Sequence, residues 1–383
     1  MPSERPDLSD AEASLQGIKV CVTGGGGYIA SRIVWRLLAA GATVHATVRD
    51  LSAGGRAAWE HLRSLPGGSE EEGRLLLFQA DLLQPGSFTA AMAGCQACVH
   101  AASPYTINVG DASARRAMVN CAVEGVKNVI SSFSHTDCHS VTSLVLTSSV
   151  AACFTDPHER GRDHTFTEAD WNVLLDQPGA AEGPLAYWYS KAAAEQAAVE
   201  AESRQDGSSG ARPRWRLVSL LPGSVWGPPL SARADGESVQ QMMRLINGGM
   251  PVFAPPLGAG LVDVRDVAAA HCLALAQPQL RGRFLLSARS CYTLLLASKV
   301  LREAYPALSW RLPWVPSTRW ALLVVGPALG LPRAVAQALC HKRPRIDTTR
   351  SRSELGLTTY ISPEDSVRDM AAALARLGLV TLG

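Results

Sequence analysis

The sequence lacks an excess of charge of either sign. Its 36 Lys and Arg residues nearly balance 34 Asp and Glu residues, so the formal net charge of the 383-residue chain is only +2. Proteins that bind nucleic acid usually carry a strongly basic surface, because the phosphate backbone is polyanionic. The overall charge therefore gives no indication of a nucleic-acid partner.

The sequence also lacks a long apolar run. In its most apolar segment, residues 313–340, the longest charge-free stretch is Trp320 to Pro332, 13 residues with two prolines. A membrane-spanning helix needs about 20 apolar residues. We therefore predict a pair of helices, buried in or lying at the edge of a C-terminal lobe. Contact with a membrane surface is a second, less favoured interpretation, and a true span is the least favoured.

No targeting segment is recognisable at the start of the sequence. The first 17 residues, MPSERPDLSDAEASLQG, carry four acidic side chains and no apolar run. This fits neither a secretory signal nor an Arg-rich transit peptide, and we predict a disordered tail over residues 1–17. The nine cysteines are an odd number in a large chain. This favours reduced thiols and a cytoplasmic location.

Two cysteine clusters carry no predicted chemistry. Cys95 and Cys98 have redox spacing, but they run directly into the apolar stretch ACVHAAS, which is typical of a buried strand. His135, Cys138 and His139 lie close together, but no second group of metal ligands accompanies them. We expect structural thiols and no metal site.

Predicted strands and helices alternate along the first 222 residues. The segments IKVCVTG, ATVHATV, RLLLFQA, ACVHAA, SLVLTSS and WRLVSLL predict strands, with helical periodicity between them. This alternation indicates an α/β protein with a Rossmann-type, doubly wound parallel sheet and a smaller, mostly helical C-terminal substrate lobe. We assign residues 18–222 to the dinucleotide-binding domain, with returns to the sheet at about 258–290, namely 261–276 and 282–288. Residues 223–257 and 291–383 form the lobe.

A glycine-rich loop joins the first strand to the first helix. In VTGGGGYIA, residues Gly24, Gly27 and Ala30 form a G-x-x-G-x-x-A pattern at this junction. Glycines let the backbone turn tightly and approach a diphosphate, and the helix N-terminus offers free N–H groups to it. The position of the loop predicts a dinucleotide site.

The end of the second strand bears on the choice of cofactor. The strand ends in TVRD, with Arg49 at its tip and Asp50 next. An acidic residue at this place holds a ribose hydroxyl, whereas an arginine accepts the 2′-phosphate. We therefore favour NADP(H) over NAD(H), with Asp50 as the counter-argument. Asp81, after the third strand, is predicted to meet the adenine amine or to cap a surface turn.

Tyr187 and Lys191 stand four residues apart in LAYWYSKAAAEQAA (185–198), whose Ala-rich end predicts a helix. Positions i and i+4 share one helix face, so these side chains can act on one object, whereas Tyr189 points elsewhere. Upstream, VLTSSV ends a predicted strand with Ser148 and Ser149. The carboxyl ends of parallel strands border the ligand crevice, so all these groups are expected at one site.

These polar groups suit hydride transfer to a carbonyl. The nicotinamide supplies the hydride, and the protein must give a proton to the developing alkoxide. A tyrosine hydroxyl has a pKa of about 10, which an adjacent ammonium lowers; a shift of three units needs roughly 4 kcal/mol. The lysine also holds the nicotinamide ribose, and the serine positions the carbonyl oxygen.

The motifs TGGGGYIA, HAAS, TSSV and YWYSK, in this order, resemble the extended short-chain dehydrogenase/reductases from about Ile18 to the C-terminus. Within that superfamily, ATVRD, VDVRDVAAAH, GRFLLSA and RIDTTRSRSELGL resemble the dihydroflavonol reductase and cinnamoyl-CoA reductase group, and TSSVAA with ADWN resembles its fungal ketone and aldehyde reductases. The resemblance implies that Ser149, Tyr187 and Lys191 are catalytic, that Pro222 lies beside the nicotinamide carboxamide, and that Asn120 lines the cofactor or a water chain. The predicted cofactor site comprises Thr23, Gly24, Gly27, Tyr28, Ile29, Arg49, Asp81, Leu82, Ala101, Ala102, Tyr187, Lys191 and Pro222.

Two departures limit the prediction of substrate. Flavonoid-type reductases tend to carry an asparagine five residues after the catalytic serine, where this chain has Phe154. Cinnamoyl-CoA reductases typically show NWYCYGK around the tyrosine, where this chain has LAYWYSK. Neither named substrate is thus supported. The predicted substrate residues are Ser103, Phe154 and Trp226, and together with Met250 the two aromatic side chains suggest an apolar or aromatic carbonyl compound.

Three hypotheses of function remain at this point. The first is an NADPH-dependent reductase of a ketone or aldehyde, acting as a monomer or homodimer. The second is a 3β-hydroxysteroid-type dehydrogenase at a membrane surface, which would give segment 313–340 a role but usually prefers NAD. The third is a non-catalytic NADP-binding sensor on the same fold, against which the intact Ser149, Tyr187 and Lys191 argue. Beyond these three, an epimerase or dehydratase is the least favoured alternative.

Overall fold

The computed structural model describes residues 10, 13–69, 71–104, 110–205, 214–233, 236–249, 253–254, 258–326 and 333–383. Seven parallel strands form its central sheet, in the spatial order β3-β2-β1-β4-β5-β6-β10. Their bounds are β1 Lys19–Thr23, β2 Thr43–Val48, β3 Leu75–Gln79, β4 Ala97–His100, β5 Ser143–Thr147, β6 Arg216–Pro222 and β10 Gly282–Leu286. This confirms the predicted Rossmann-type α/β fold.

Helices cover both faces of the sheet. On one face, α1 (Tyr28–Ala39) packs against α7 (Val264–Ala276), and on the other α4 (Ala112–Ser132) packs against α5 (Ala186–Ser203). Successive strand residues point to opposite faces: in β1, Val20 and Val22 join the core under α1, whereas Cys21 joins the core under α4 and α5. Short helices α2 (Glu60–Arg63) and α3 (Thr89–Met92) complete the described layers.

The strand order reverses between β1 and β4, which are neighbours in the sheet. Val20 pairs with Ala97, and Thr23 pairs with His100 at the carboxyl end of both strands. In open α/β sheets the ligand crevice lies outside the carboxyl ends at such a switch point. The fold therefore places the glycine-rich loop and the ends of β4 and β5 around one crevice.

A smaller lobe follows β6. Strands β7 (Ser224–Trp226), β9 (Ala259–Asp263) and β11 (Arg289–Tyr292) form a second sheet, and β8 (Phe253–Ala254) pairs with β12 (Val315–Pro316). Helices α6 (Glu237–Ile246), α8 (Leu294–Ala304) and α12 (Pro363–Arg376) enclose a core that includes Met242, Leu301 and Met370. The lobe also carries α9 (Arg319–Val325), α10 (Arg333–Leu339), α11 (Thr349–Ser353) and a 3-10 turn at Pro306–Leu308. The other 3-10 turns lie in the first domain, at Ala53–Ala58, Thr136–Cys138, Val150–Ala152 and Val173–Asp176.

One predicted return to the central sheet is wrong. Residues 261–276 were expected to rejoin it, but β9 belongs to the second sheet and α7 is a helix. The Asp263 side chain accepts a hydrogen bond from the Arg265 backbone N–H and caps the N-terminus of α7, which stops the strand there. The segment at residues 282–288 does return, as β10 beside β6.

The packed part of the chain begins before Ile18. Most of the predicted tail lies outside the described residues, but the Leu15 side chain is buried in the core under α1, and the Gly17 N–H donates to the Gly41 carbonyl at 3.0 Å. The end of the tail is therefore part of the fold, since an apolar side chain is removed from water there.

Segment 313–340 contains two short helices, α9 and α10, which contact each other at the edge of the lobe. Leu322 packs with Ala336 and Cys340 in a small apolar cluster. Across the parts of the chain that the structure describes, no helix combines the length and apolar character required to cross a bilayer.

Candidate active site

The glycine-rich loop packs so closely against neighbouring backbone that a side chain does not fit at Gly24 or Gly26. Gly24 has a positive φ of 67°, and a Cβ atom there would lie 3.0 Å from Ala102. A Cβ at Gly26 would lie 2.0 Å from the Ala58 carbonyl oxygen. Gly27 begins α1 without a side-chain cap, and no acidic residue occupies the first turn. An uncapped helix N-terminus under a close backbone approach fits a diphosphate.

Thr23 fastens the loop to the end of β4. Its Oγ1 lies 3.1 Å from the Ala101 N–H and 3.0 Å from the Ala102 N–H and accepts from both. The same oxygen lies 2.8 Å from His100 Nδ1. Because it accepts from two backbone N–H groups, the hydroxyl must donate to this nitrogen. The proton of a neutral His100 ring is therefore on Nε2. Burial, and next the Lys191 charge, lower the pKa of His100 to about 3. His100 was not predicted from the sequence as part of the site.

Three hydrogen bonds tie the glycine-rich loop and α1 to residues 227–233. The Tyr28 hydroxyl donates to the Gly227 carbonyl at 2.8 Å, and Arg32 Nη2 donates to the Pro228 carbonyl at 2.9 Å. Arg233 Nη1 donates to the Gly26 carbonyl at 3.0 Å. Burial raises the pKa of Tyr28 well above its ordinary value. The role of Tyr28 toward a cofactor stays a prediction, and the next residue, Ile29, packs against the core.

Arg49 extends from the end of β2 with 86% of its side chain exposed. The Asp50 carboxylate accepts a hydrogen bond from the Ser52 N–H at 2.8 Å, and hydrogen bonding with Ser52 lowers the pKa of Asp50. Asp81 Oδ1 accepts from the Leu83 N–H at 2.8 Å, while its Oδ2 lies 4.0 Å from Arg49 Nε. Asp81 therefore caps the turn after β3, and its role toward adenine stays a prediction.

Lys191 lies at the carboxyl end of the sheet with its side chain buried. Its Nζ donates to Ser103 Oγ at 3.0 Å, which links α5 to the loop after β4. Desolvation lowers the pKa of Lys191 to about 8. A pocket at this point is lined by His100, Ala102, Ser103, Thr147, Ser148 and Lys191, with Glu195 and apolar residues of α4 behind them.

Tyr187 occupies the first turn of α5, one turn before Lys191. Its ring meets Trp188 edge to face, with centroids 5.5 Å apart, and it packs in one apolar cluster with Ala151. Ser149 begins the 3-10 turn that contains Ala151, and its Oγ accepts a hydrogen bond from the Ala151 N–H at 3.1 Å. Because that oxygen already accepts, its proton is available to a carbonyl oxygen.

A buried charge network lies behind Ser149, Tyr187 and Lys191, and the sequence analysis did not predict it. Glu195, one turn after Lys191, accepts hydrogen bonds from Ser148 Oγ at 2.7 Å and from Arg283 Nε at 2.8 Å. Arg283 comes from β10 and stacks on the Trp171 ring at 3.9 Å. Glu195 is fully buried and Arg283 is 7% exposed, so the pair immobilises the residue immediately before Ser149.

Two predicted substrate residues belong to the apolar core instead. Trp226 is 4% exposed, meets Tyr292 edge to face and packs in the C-terminal lobe. Phe154 is 6% exposed and stacks on Phe166 with centroids 4.2 Å apart. Each aromatic ring is removed from water by neighbouring side chains, so neither forms a pocket wall. Met250 lies outside the described residues.

The remaining predicted residues lie at different places around the sheet. Pro222 ends β6 opposite Leu286 and is buried, and Leu82 lies in the loop after β3, facing Gly125 of α4. Asn120 is exposed and lines a groove on the outer side of α4 and α5 with Tyr189. We therefore remove Asn120 from the cofactor site, since Tyr187 and Lys191 face the other way.

Neither cysteine cluster acquires a function from the structure. Burial raises the pKa of the Cys95 thiol well above its ordinary value, which opposes thiolate chemistry. Among the described residues, no group of three or more His, Cys, Asp or Glu side chains is arranged to hold a metal ion.

Comparison with known proteins identifies relatives of this chain. A model of the NAD dependent epimerase/dehydratase family matches residues 20–284. The chain is 36% identical to cinnamoyl-CoA reductase CAD2 of Medicago truncatula over 76% of this chain and 82% of that protein. It is 38% identical to cinnamoyl-CoA reductase 1 of Arabidopsis thaliana over 72% of both chains. The solved structure of Gre2 from Candida albicans in complex with NADPH matches 94% of this chain and 99% of its own, with a TM-score of 0.73 and 26% identity.

Proposed function

The chain belongs to the NAD dependent epimerase/dehydratase family as an extended short-chain, NAD(P)-dependent oxidoreductase, and from this premise we propose that it reduces a ketone or aldehyde with NADPH. The observation that carries the proposal is the buried Lys191, held at the carboxyl end of the sheet one helical turn from Tyr187. A cationic side chain there serves a tyrosine acid and a cofactor ribose together.

The cofactor fits the residues at the switch point. Gly24, Gly26 and Gly27 would let the diphosphate approach the N-terminus of α1. Arg49 would meet the 2′-phosphate, while the Asp50 carboxylate beside it is engaged by the Ser52 N–H. Bound NADPH supplies the hydride. These arrangements support NADPH over NADH.

The protein supplies the proton and holds the carbonyl. We assign Tyr187 as the acid that protonates the forming alkoxide. The Lys191 ammonium favours the phenolate that Tyr187 leaves behind. Ser149 donates a hydrogen bond to the carbonyl oxygen and keeps its proton, because its own oxygen accepts the Ala151 N–H and its hydroxyl hydrogen is left for the substrate. Thr23 and Ser103 fix the loop and the lysine around this centre.

The substrate that we propose is an apolar or aromatic carbonyl compound. Tyr187 and Trp188 share an apolar cluster with Leu174 and with Val335 of α10, so side chains of both lobes give the tyrosine an apolar setting. The relatives named above act on cinnamoyl-CoA, whereas the segment around Tyr187 departs from their motif. We place the enzyme in the cytoplasm, in keeping with nine cysteines that form no disulfide.

The test is NADPH oxidation by the purified protein against aromatic aldehydes, diketones, dihydroflavonols and hydroxycinnamoyl thioesters, with NADH in parallel. We expect turnover of at least one class, faster with NADPH. Cofactor binding, followed by quenching of protein fluorescence, is measured separately. Binding of NADPH without turnover on any class would contradict the reductase assignment and favour a sterol substrate or a sensor.

A further inference from the structure

Exposed apolar side chains are concentrated in one part of the C-terminal lobe, namely strand β8 and residues 310–324. Six of the nine large hydrophobic side chains that are exposed in the described chain lie there, and we call them the tryptophan face. Its tryptophans are unusually open to solvent: 76% of Trp310, 60% of Trp314 and 79% of Trp320 is exposed. The face comprises Phe253, Trp310, Trp314, Val315, Trp320 and Val324.

Local structure links neighbouring members of the tryptophan face. Val315 of β12 pairs with Phe253 of β8, and the neighbouring Trp314 donates its indole N–H to the Ser309 carbonyl at 3.1 Å, next to Trp310. Trp320 and Val324 lie four residues apart on α9, so they share a helix face. Clustered exposed apolar surface of this kind marks an interaction site.

Arginines hold the tryptophan rings. The Arg302 guanidinium stacks on Trp314 at 4.1 Å from the ring centroid, and that of Arg311 stacks on Trp310 at 4.7 Å. Arg333, at the start of α10, donates to the Leu323 carbonyl of α9 at 3.0 Å. Each ring of the two stacked pairs therefore has a fixed positive charge beside it.

The balanced total charge conceals a strong local excess. Residues 291–346 contain eight Lys and Arg residues and only one acidic residue, Glu303, which gives the segment a formal charge of +7. Since the whole chain carries +2, the remainder carries −5. Lys342 and Arg345 of this segment pair with Asp156 and Asp163, whereas Arg302 and Arg311 lie beside Trp314 and Trp310.

We propose that the tryptophan face docks the enzyme on an anionic membrane surface. Tryptophan is enriched at the boundary between lipid tails and headgroups, because its ring is apolar and its N–H is polar. Arginines beside the rings would pair with anionic headgroups, while the acidic remainder is repelled. Contact is peripheral, because no described helix is fit to span. This inference is independent of the proposed reaction, since no residue of the face belongs to the catalytic group.

The test is co-sedimentation of the full chain with vesicles of phosphatidylcholine alone and with about a third of phosphatidylserine added. We expect binding to the anionic vesicles, weakening with salt, and quenching of tryptophan fluorescence by brominated lipid. A variant with Trp310→Ser, Trp314→Ser and Trp320→Ser should bind at least tenfold more weakly. Arg302→Gln and Arg311→Gln should each cost about fivefold at low salt.

Leu83→Ser is the matched control, because Leu83 is 59% exposed but lies beside β3 in the other lobe; it should bind like the wild type. NADPH binding and circular dichroism verify that each variant is folded. The proposal fails if the wild type ignores anionic vesicles, or if the triple variant binds as well as the wild type. It also fails if the face instead joins two copies, seen as a dimer that the triple variant dissociates.

Discussion

Lys191 carries a charge where water is largely excluded, and its protonation links catalysis to stability. Its pKa falls from 10.5 to about 8 through desolvation. Below pH 8 both folded and unfolded chains carry the charge, and the folded chain bears the cost of burying it. Between about pH 8 and 10.5 the unfolded chain binds the proton more tightly, so this cost diminishes as the pH rises.

Lys191→Met should therefore stabilise the cofactor-free protein near pH 7 while removing activity. A pKa shift of this size corresponds to about 3 kcal/mol, from which the lost bond to Ser103 subtracts about 1 kcal/mol. Urea unfolding at pH 7 and pH 10 measures the difference between variant and wild type. The stabilisation should shrink at pH 10; a variant equally destabilised at both values would contradict the assigned cost.

Tyr187→Phe should keep NADPH binding and lose about 10²-fold or more in turnover, the contribution of a general acid. Tyr189→Phe is the matched control, because Tyr189 lies on the same helix but lines the outer groove, and it should retain near-normal kinetics. Steady-state kinetics and fluorescence titration of NADPH measure both effects. Persistent activity in Tyr187→Phe would remove the role that we assign to this residue.

Arg49→Asp should shift cofactor preference toward NADH, because a carboxylate repels the 2′-phosphate. We expect kcat/KM with NADPH to fall by tenfold or more, as for one charge-assisted contact worth about 1.5–3 kcal/mol. Arg204→Asp serves as control, since Arg204 is similarly exposed at 80% but lies at the end of α5, beside Glu200. An unchanged ratio of NADPH to NADH use in Arg49→Asp would refute the argument.

At the scale of elements, helix α5 presents polar groups at four-residue steps. Tyr187, Lys191 and Glu195 follow one another along the side that faces the sheet. The first two face the crevice, and Glu195 meets Ser148 from β5 and Arg283 from β10. The helix thereby fixes the position of the two residues that we propose as catalytic relative to two strands.

Removing one member of the buried pair should be costly, because it leaves an uncompensated charge. We expect Arg283→Met to lower the free energy of unfolding by about 3–5 kcal/mol. Glu195→Gln combined with Arg283→Met should recover part of this loss. The exposed pair Arg368 and Asp365 is the control, and Arg368→Met should change stability by less than about 1 kcal/mol. Urea unfolding of the single and double variants measures these free energies. If the losses in unfolding free energy from the two single substitutions simply add in the double variant, Glu195 and Arg283 are not coupled.

Local pattern predicted most elements of the central sheet but not the long-range partners of the site. Strand β1, the glycine-rich loop and α5 have their periodicity and turn residues in one short segment. Arg283, in contrast, lies 88 residues from Glu195, and no local pattern indicates that pairing. Phe154 and Trp226 were predicted as pocket residues because the sequence does not distinguish an aromatic side chain in the core from one in a pocket wall.

Taken as a whole, the molecule has two lobes that share charged and polar contacts. Arg265 is 2% exposed and bridges Asp263 at 2.9 Å and Asp369 of α12 at 2.8 Å. The hydrogen bonds of Tyr28, Arg32 and Arg233 join the cofactor loop to residues 227–233. Cofactor binding to the lobe that contains the central sheet is therefore expected to change the stability of hydrogen bonds in the C-terminal lobe.

NADPH should slow amide hydrogen exchange in residues 227–233 as well as in the glycine-rich loop, because ordering the loop stabilises its hydrogen-bonded partners. Mass spectrometry of exchange with and without NADPH measures this. Arg32→Met should reduce the protection of residues 227–233 without abolishing cofactor binding. Protection confined to the loop in the wild type would show that the contacts do not couple the lobes.

The uneven distribution of charge in the C-terminal lobe also makes the molecule an electric dipole. A segment of +7 opposes a remainder of −5, so net charge alone is a poor guide to its behaviour in a field. A charged surface therefore orients the approaching protein before contact, because the electrostatic field extends about 10 Å from the surface at 0.1 M salt. The orientation of first contact is then set by this dipole rather than by chance collision.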